Sequence, residues 1–327
     1  MTPTGSERVE ALFGDSVAHV YAPYDIPDAI GRFLKRVKPR LLIIMETELW
    51  PNTIHCCHRA SIPIVLANAR LSEKSAAGYQ RFSGLTKPML EKLSAVVAQS
   101  EADGHRFRQL GMNDDQIQVS GSIKFDIALE QSVIEQSKRL KASWSEQGRR
   151  LIWVAASTRL GEDPIILQTF QQLLAKFPNL LLVLVPRHPE RFDSVASLSS
   201  NLGLQTGLRT RPESIDEHTQ VVIGNTMGEL MLFYGCADIA FVGGSLVDTG
   251  GHNMLEPAAW GLPIITGLSD FNFLAISELL QQRGGLVKVA GQAELNQQLQ
   301  QWLAQPDARA ATGRAALAVV EQNRGAL

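Results

Sequence analysis

Leu41-Leu42-Ile43-Ile44-Met45-Glu46-Thr47-Glu48-Leu49-Trp50-Pro51-Asn52 sets five apolar residues before a polar turn, followed by a proline suited to the first position of a helix. The same order, a short apolar run, a polar or glycine-containing turn and a helix-period segment, repeats from end to end. Such alternation predicts α/β architecture with parallel sheets. Strands are expected at residues 19–22, 41–45, 64–67, 95–99 and 118–121, and again at 151–155, 180–185, 220–224, 239–243, 263–266 and 286–289. Eleven strands divide more naturally between two sheets than they fill one.

The division is expected in Ile127 to Arg150, where a polar, helix-like stretch carries no strand signal. This gives a first domain over residues 1–126, an interdomain connection over 127–150 and a second domain over 151–327. A length of 327 residues supports a core in each. The first readable element is a short helix, Ser6 to Phe13, whereas an open parallel sheet normally begins with a strand. A front unit is therefore expected to be missing from the first domain. The last segment, Asp307 to Asn323, reads as a helix packing back across the domain boundary.

Apolar residues make up 45% and charged residues 20%, an ordinary globular composition, and the net charge of -2 offers no general attraction to nucleic acid. The charge is uneven. Between Gly31 and Lys92 eleven Lys or Arg face four Glu and no Asp. Arg32, Lys35, Arg36, Lys38 and Arg40 lie opposite Ile30, Phe33, Leu34 and Val37 on an amphipathic helix, either a solvated face or a surface for anionic lipid or a phosphorylated acceptor. Three cysteines cannot build a disulfide framework and point to a reducing compartment. With no apolar run of membrane-spanning length and no signal-peptide character, the chain alone is expected to be cytoplasmic or peripheral.

Ligands of open α/β sheets bind beyond the carboxyl ends of the strands, so residues just after each strand are candidates for chemistry. Glu46 and Glu48 follow the quoted strand; both could be simple helix N-terminal acidity, or one could be catalytic and the other structural. Lys124, after the last strand of the first half, suits a phosphate or carboxylate, with a solvated lysine as the plain alternative. In the second half Arg187, held between Pro186 and Pro189, suits bidentate phosphate contact. Gly224 to Leu230 supplies a turn into a helix, and Gly250-Gly251-His252-Asn253 leads through Met254 and Leu255 to Glu256, a carboxylate placed to accept ribose hydroxyls. Neither G-x-G-x-x-G nor a P-loop is present. His55-Cys56-Cys57-His58 cannot converge on one ion, because consecutive helical residues diverge by about 100°. No metal and no cofactor are expected.

Met-Glu-Thr-Glu-Leu-Trp-Pro-Asn (45–52), Ala-Asn-Ala-Arg-Leu-Ser (67–72), Gly-Ser-Ile-Lys-Phe-Asp (121–126), Val-Pro-Arg-His-Pro-Glu-Arg-Phe (185–192), Met-Gly-Glu-Leu (227–230) and Gly-Gly-His-Asn (250–253) together resemble the 3-deoxy-D-manno-octulosonic acid (Kdo) transferases of Gram-negative bacteria. The resemblance covers nearly the whole chain. It implies a GT-B glycosyltransferase fold, two Rossmann-like domains facing a cleft, with the N-terminal domain incomplete. It further implies transfer of Kdo from CMP-Kdo to a lipid A precursor at the cytoplasmic face of the inner membrane, where an anionic surface is a further partner. Carried over by motif, Pro186 and Arg187, Met227, Gly228 and Glu229, and Asn253, Met254, Leu255 and Glu256 correspond to CMP-holding segments. Glu46 and Lys124 correspond to residues that stabilise the transition state. The family begins with a hydrophobic anchor and a strand ending in Gly-Glu, the proposed general base, and usually extends past the position of Leu327. A chain without that base is expected to bind donor yet turn over poorly. Met254 stands where the family often has Pro. The alternatives are another GT-B enzyme using a UDP-sugar, or a non-catalytic nucleotide-binding module.

Overall fold

The computed structural model describes residues 3–146 and 148–326. Two compact units form, one reaching Ile123 and the other spanning Lys124–Arg324. The first holds a parallel sheet of β1 (Leu42–Met45), β2 (Ile64–Ala69), β3 (Ala95–Ala98) and β4 (Ile117–Val119) in that spatial order. Its core gathers Leu66, Val96, Ile54, Leu90 and Phe107, each essentially inaccessible to solvent.

The second unit holds seven parallel strands: β5 (Ile152–Thr158), β6 (Leu181–Pro186), β7 (Thr206–Leu208), β8 (Val221–Ile223), β9 (Ile239–Val242), β10 (Ile264–Thr266) and β11 (Leu286–Lys288). Their order is β11-β10-β9-β5-β6-β8-β7. Trp153, Phe170, Leu182 and Phe241 pack in one core cluster and Val154, Val183, Phe233 and Tyr234 in another. β5 and β6 are buried at every position, which is why both read as unbroken apolar runs rather than alternating ones. The strand order reverses between β5 and β9, and at such a switch point a crevice opens beyond the carboxyl ends.

Two expected features change. Residues 19–22 form no strand; Val20 and Tyr21 remain 58% and 56% exposed, so no apolar burial offsets the ordering of an extended segment. The sequence also conceals β7, because its central Gly207 has weak strand propensity. That glycine is nonetheless required, since a Cβ there would lie 2.7 Å from the Ser214 carbonyl oxygen. The stretch 127–150, expected to connect domains, packs within the second unit. Its helix Gln131–Trp144 stacks Trp144 on Phe233 at 6.2 Å between ring centroids and binds Asp238 through Lys141 at 2.8 Å.

The basic helix spans Pro27–Val37, buries Ile30 and leaves Arg32, Lys35, Arg36, Lys38 and Arg40 exposed. The closing helix Pro306–Gln322 packs Ala316, Val319 and Val320 against Leu255 and Leu280 of the second unit. Among the described residues no helix is long and apolar enough to cross a membrane.

Candidate functional site

At the carboxyl ends of β5 and β6 the second unit has a cavity of about 330 Å³, lined by Ser157, Pro186, Arg187, Thr226, Met227, Gly228, Tyr234, His252, Asn253 and Glu256 among others. Six residues expected from sequence thus meet there: Pro186, Arg187, Met227, Gly228, Asn253 and Glu256. Arg187 is exposed and lies within 4 Å of no carboxylate among the described residues, so its charge is available to an anion. Gly228 takes φ 82°, a left-handed turn where a side chain would be strained.

The other three expected residues act differently. The Glu229 carboxylate is committed, accepting two bonds from Arg209 at 3.1 and 2.9 Å and one from the Thr226 hydroxyl at 2.5 Å. It fixes the turn rather than facing the cavity. Met254 and Leu255 bury their side chains in the core, and the Leu255 amide donates to Asn253 Oδ1 at 3.1 Å. They hold Asn253 and Glu256 in place.

Burial pushes the Glu256 carboxyl above its usual range, an effect opposed by a 3.2 Å bond from Asn253 Nδ2 and by the nearby Arg187 charge. Burial also lowers His252, to about 4, assisted by the positive charges of Arg159 and Arg187. His252 is therefore neutral at neutral pH.

Glu162 organises the site's backbone. It is wholly buried at the start of the helix after β5 and accepts from the amides of Arg159, Gly244, Ser245 and Leu246 at 2.7–2.9 Å. One carboxylate thus ties the loop after β5 to the glycine turn after β9, across the switch point. Next to it, Asp163 accepts from Thr158 at 2.6 Å and pairs with Arg191, so Arg191 is structural where Arg187 is not. Sequence reasoning missed Glu162 and Asp163, although Gly161-Glu162-Asp163 follows a strand in the pattern that identified the others. It also missed Ser157, which a bulge in β5 at φ 56° turns into the cavity. No residue type announces such a bulge.

In the first unit, Glu46 and Glu48 are not helix N-terminal acids. Asp25 fills that role, accepting from the Asn52 and Thr53 amides at 3.0 and 2.7 Å. Glu48 lies near Tyr79, whose hydroxyl it helps burial to push upward. Glu46 is exposed and holds φ 58°, a strained conformation for a residue with a side chain. Tyr79 and Phe82 also line an apolar groove of about 460 Å³ with Leu49, Leu85 and Met89. Lys124 is exposed in a 3-10 turn, Ile123–Phe125, where the second unit begins.

Two parallel-sheet units, with a cavity at the switch point of the second, have the architecture of the GT-B class. Comparison with known proteins narrows that class. Residues 1–127 match the family model described as 3-Deoxy-D-manno-octulosonic-acid transferase (kdotransferase). The whole chain is 47% identical over 327 residues to a 3-deoxy-D-manno-octulosonic acid transferase of Haemophilus influenzae, covering 76% of it. The C-terminal CMP-Kdo binding domain of WaaA from Acinetobacter baumannii aligns over its full length with 59% of this chain, at 33% identity and TM-score 0.56. Anabaena Alr3699/HepE in complex with UDP shares the fold alone, covering 91% of this chain and 79% of its own at 14% identity and TM-score 0.52. The chain belongs to the Kdo transferase family and is a glycosyltransferase.

Proposed function

We propose that this chain transfers Kdo from CMP-Kdo to a lipid A precursor, in lipopolysaccharide core synthesis at the cytoplasmic face of the inner membrane. The observation that carries the donor half is the second unit's cavity, where Arg187, the Met227-Gly228 turn, Asn253 and Glu256 converge. Glu256 accepts the ribose hydroxyls, while Arg187 and the amides around Gly228 and Glu229 receive the phosphate. The exposed basic helix and the apolar groove of the first unit support an acceptor that is both anionic and acylated, and an anionic membrane surface beside it.

In the reaction the acceptor hydroxyl oxygen bonds to the anomeric carbon of Kdo as the bond from that carbon to the phosphate oxygen breaks. The electron pair leaves with CMP and the hydroxyl proton passes to a base. Lys124 and Arg187 offset the charge that grows on the phosphate, and Glu46 stabilises the electron-poor anomeric carbon. Calorimetry with CMP and UDP tests the donor assignment. CMP should bind the more tightly, and Arg187→Ala should weaken it by about tenfold or more, the loss of one charge-assisted contact. A preference for UDP overturns the reading.

A further inference from the structure

Arg159, the first residue after β5, points its guanidinium at two imidazoles. Its Nη1 lies 2.6 Å from His188 Nε2, and its Nε donates to His252 Nε2 at 3.3 Å. An arginine has no acceptor, so both imidazoles receive the bond on Nε2 and are neutral at that atom. The arrangement uses two of the five guanidinium N–H groups. Among the described residues the side chain has no other hydrogen-bond partner, and no carboxylate lies within 4 Å of it. The backbone beneath it is equally fixed, since the Arg159 amide donates to the buried Glu162 carboxylate at 2.8 Å. A guanidinium oriented by its neighbours, with three N–H donors of its planar fork uncommitted, is a preformed receptor for a planar anion.

A second uncompensated cation stands beside it. Arg187 adjoins His188 in the chain, and its charge acts on His252 together with that of Arg159. Arg187 and His252 line the donor cavity, and Arg159 is joined to it through its bond to His252. Concentrating positive charge in this way costs stability unless a ligand offsets it, and a single phosphate needs only one such fork. A donor that is a 2-keto acid sugar carries two anions close together, because its anomeric carbon bears both the carboxylate and the phosphate ester oxygen. Two guanidinium groups that act on one imidazole suit a ligand carrying two such anions.

Resting on the donor reading above, we propose that Arg159, braced by His188 and His252, binds the carboxylate of the transferred sugar acid while Arg187 takes the phosphate. Arg159 then selects sugar acids over neutral sugars on the same nucleotide. It also fixes which face of the anomeric carbon meets the acceptor, since the carboxylate and the phosphate together determine the orientation of that carbon.

The test is displacement of a fluorescent CMP conjugate from the full chain by CMP and by freshly prepared CMP-Kdo kept cold, with the unsubstituted protein, Arg159→Gln and Arg159→Lys. CMP-Kdo should bind more tightly than CMP to the unsubstituted chain. Arg159→Gln should reduce that preference by about 10-fold or more, the weight of one charge-assisted contact, while CMP affinity stays within about twofold. Unchanged CMP affinity also shows that the variant is folded. Arg159→Lys, which keeps the charge but loses the fork, should restore part of the preference. Equal losses for CMP and CMP-Kdo would assign Arg159 to the nucleotide and overturn the proposal, and so would an unchanged preference. Failure of the unsubstituted chain to bind CMP at all would instead overturn the donor reading on which the proposal rests.

Discussion

Glu256 shows how much depends on one side chain's surroundings. Burial raises its pKa, so the folded state disfavours its charge, and hydroxyl donors entering the cavity relieve that cost. If Glu256 accepts the ribose hydroxyls as a carboxylate, Glu256→Gln should weaken CMP binding by about tenfold at pH 7.5. The sign with pH follows from the direction of the shift. The unsubstituted carboxyl takes up its proton at a pH above the ordinary carboxylate range, so its advantage over glutamine shrinks as pH falls towards 5. The phosphate of CMP titrates alike in both proteins and drops out of the comparison. Calorimetry of the two proteins between pH 5 and 8 reads this; a constant gap would mean that Glu256 is no charged acceptor. At this scale the sequence was informative where a residue's type and its place after a strand mark it, as with Arg187 and Glu256, which both reach the cavity. It was silent where the role comes from a partner distant in the chain. Arg209 claims Glu229 and Asp25 caps the helix after Glu48, and neither pairing leaves a local trace.

Among elements, the strand ends differ in what holds them. The loop after β5 and the turn after β9 share the Glu162 carboxylate as a common anchor, and four backbone amides lose their acceptor if it is removed. Glu162→Ala should therefore cost about 3–5 kcal/mol, because buried donors left unpaired are penalised at about 1–3 kcal/mol each and part of the set regains water. CMP binding should fall with it, as the loop carrying Arg159 and the glycine turn relax. Denaturant midpoints and CMP affinities of the variant check both; a loss under about 1 kcal/mol would remove Glu162 from this role. Strand reading from sequence succeeded where burial on both faces makes an apolar run, as in β5, β6 and β9. It failed at residues 19–22, where an apolar run finds nothing to cover it, and at β7, where a close approach demanded glycine in place of a strand-forming residue. The bulge at Ser157 was illegible for a different reason: it is imposed by the register between β5 and β6.

At the scale of the molecule, each unit closes its own core. Ile54, Leu66, Val96 and Phe107 serve the first, and three clusters, around Trp153, Phe233 and Leu255, serve the second. Two sheets were legible in the sequence, but the helix within 127–150 was not legible as part of the second unit, because a polar helix looks like a linker until its partner is known. Helix Gln131–Trp144 has such a partner in helix Leu230–Cys236, where a Cβ at Gly235 would come within 2.5 Å of Ser137. All the proposed donor residues except Glu46 lie at or beyond Lys124, as do Arg159 and Glu162. A protein comprising residues 124–326 should consequently fold by itself and unfold cooperatively, having a complete seven-stranded sheet with both faces covered. It should bind CMP within about threefold of the full chain, a difference of less than about 1 kcal/mol. Starting the protein at residue 151 instead removes Trp144 and Lys141 from Phe233 and Asp238, and should leave it aggregated or markedly less stable. Thermal unfolding and calorimetry on the two truncations measure this directly. Equal stability would put the boundary back at residue 150, whereas a folded 124–326 protein that does not bind CMP would mean that the donor site needs the first unit.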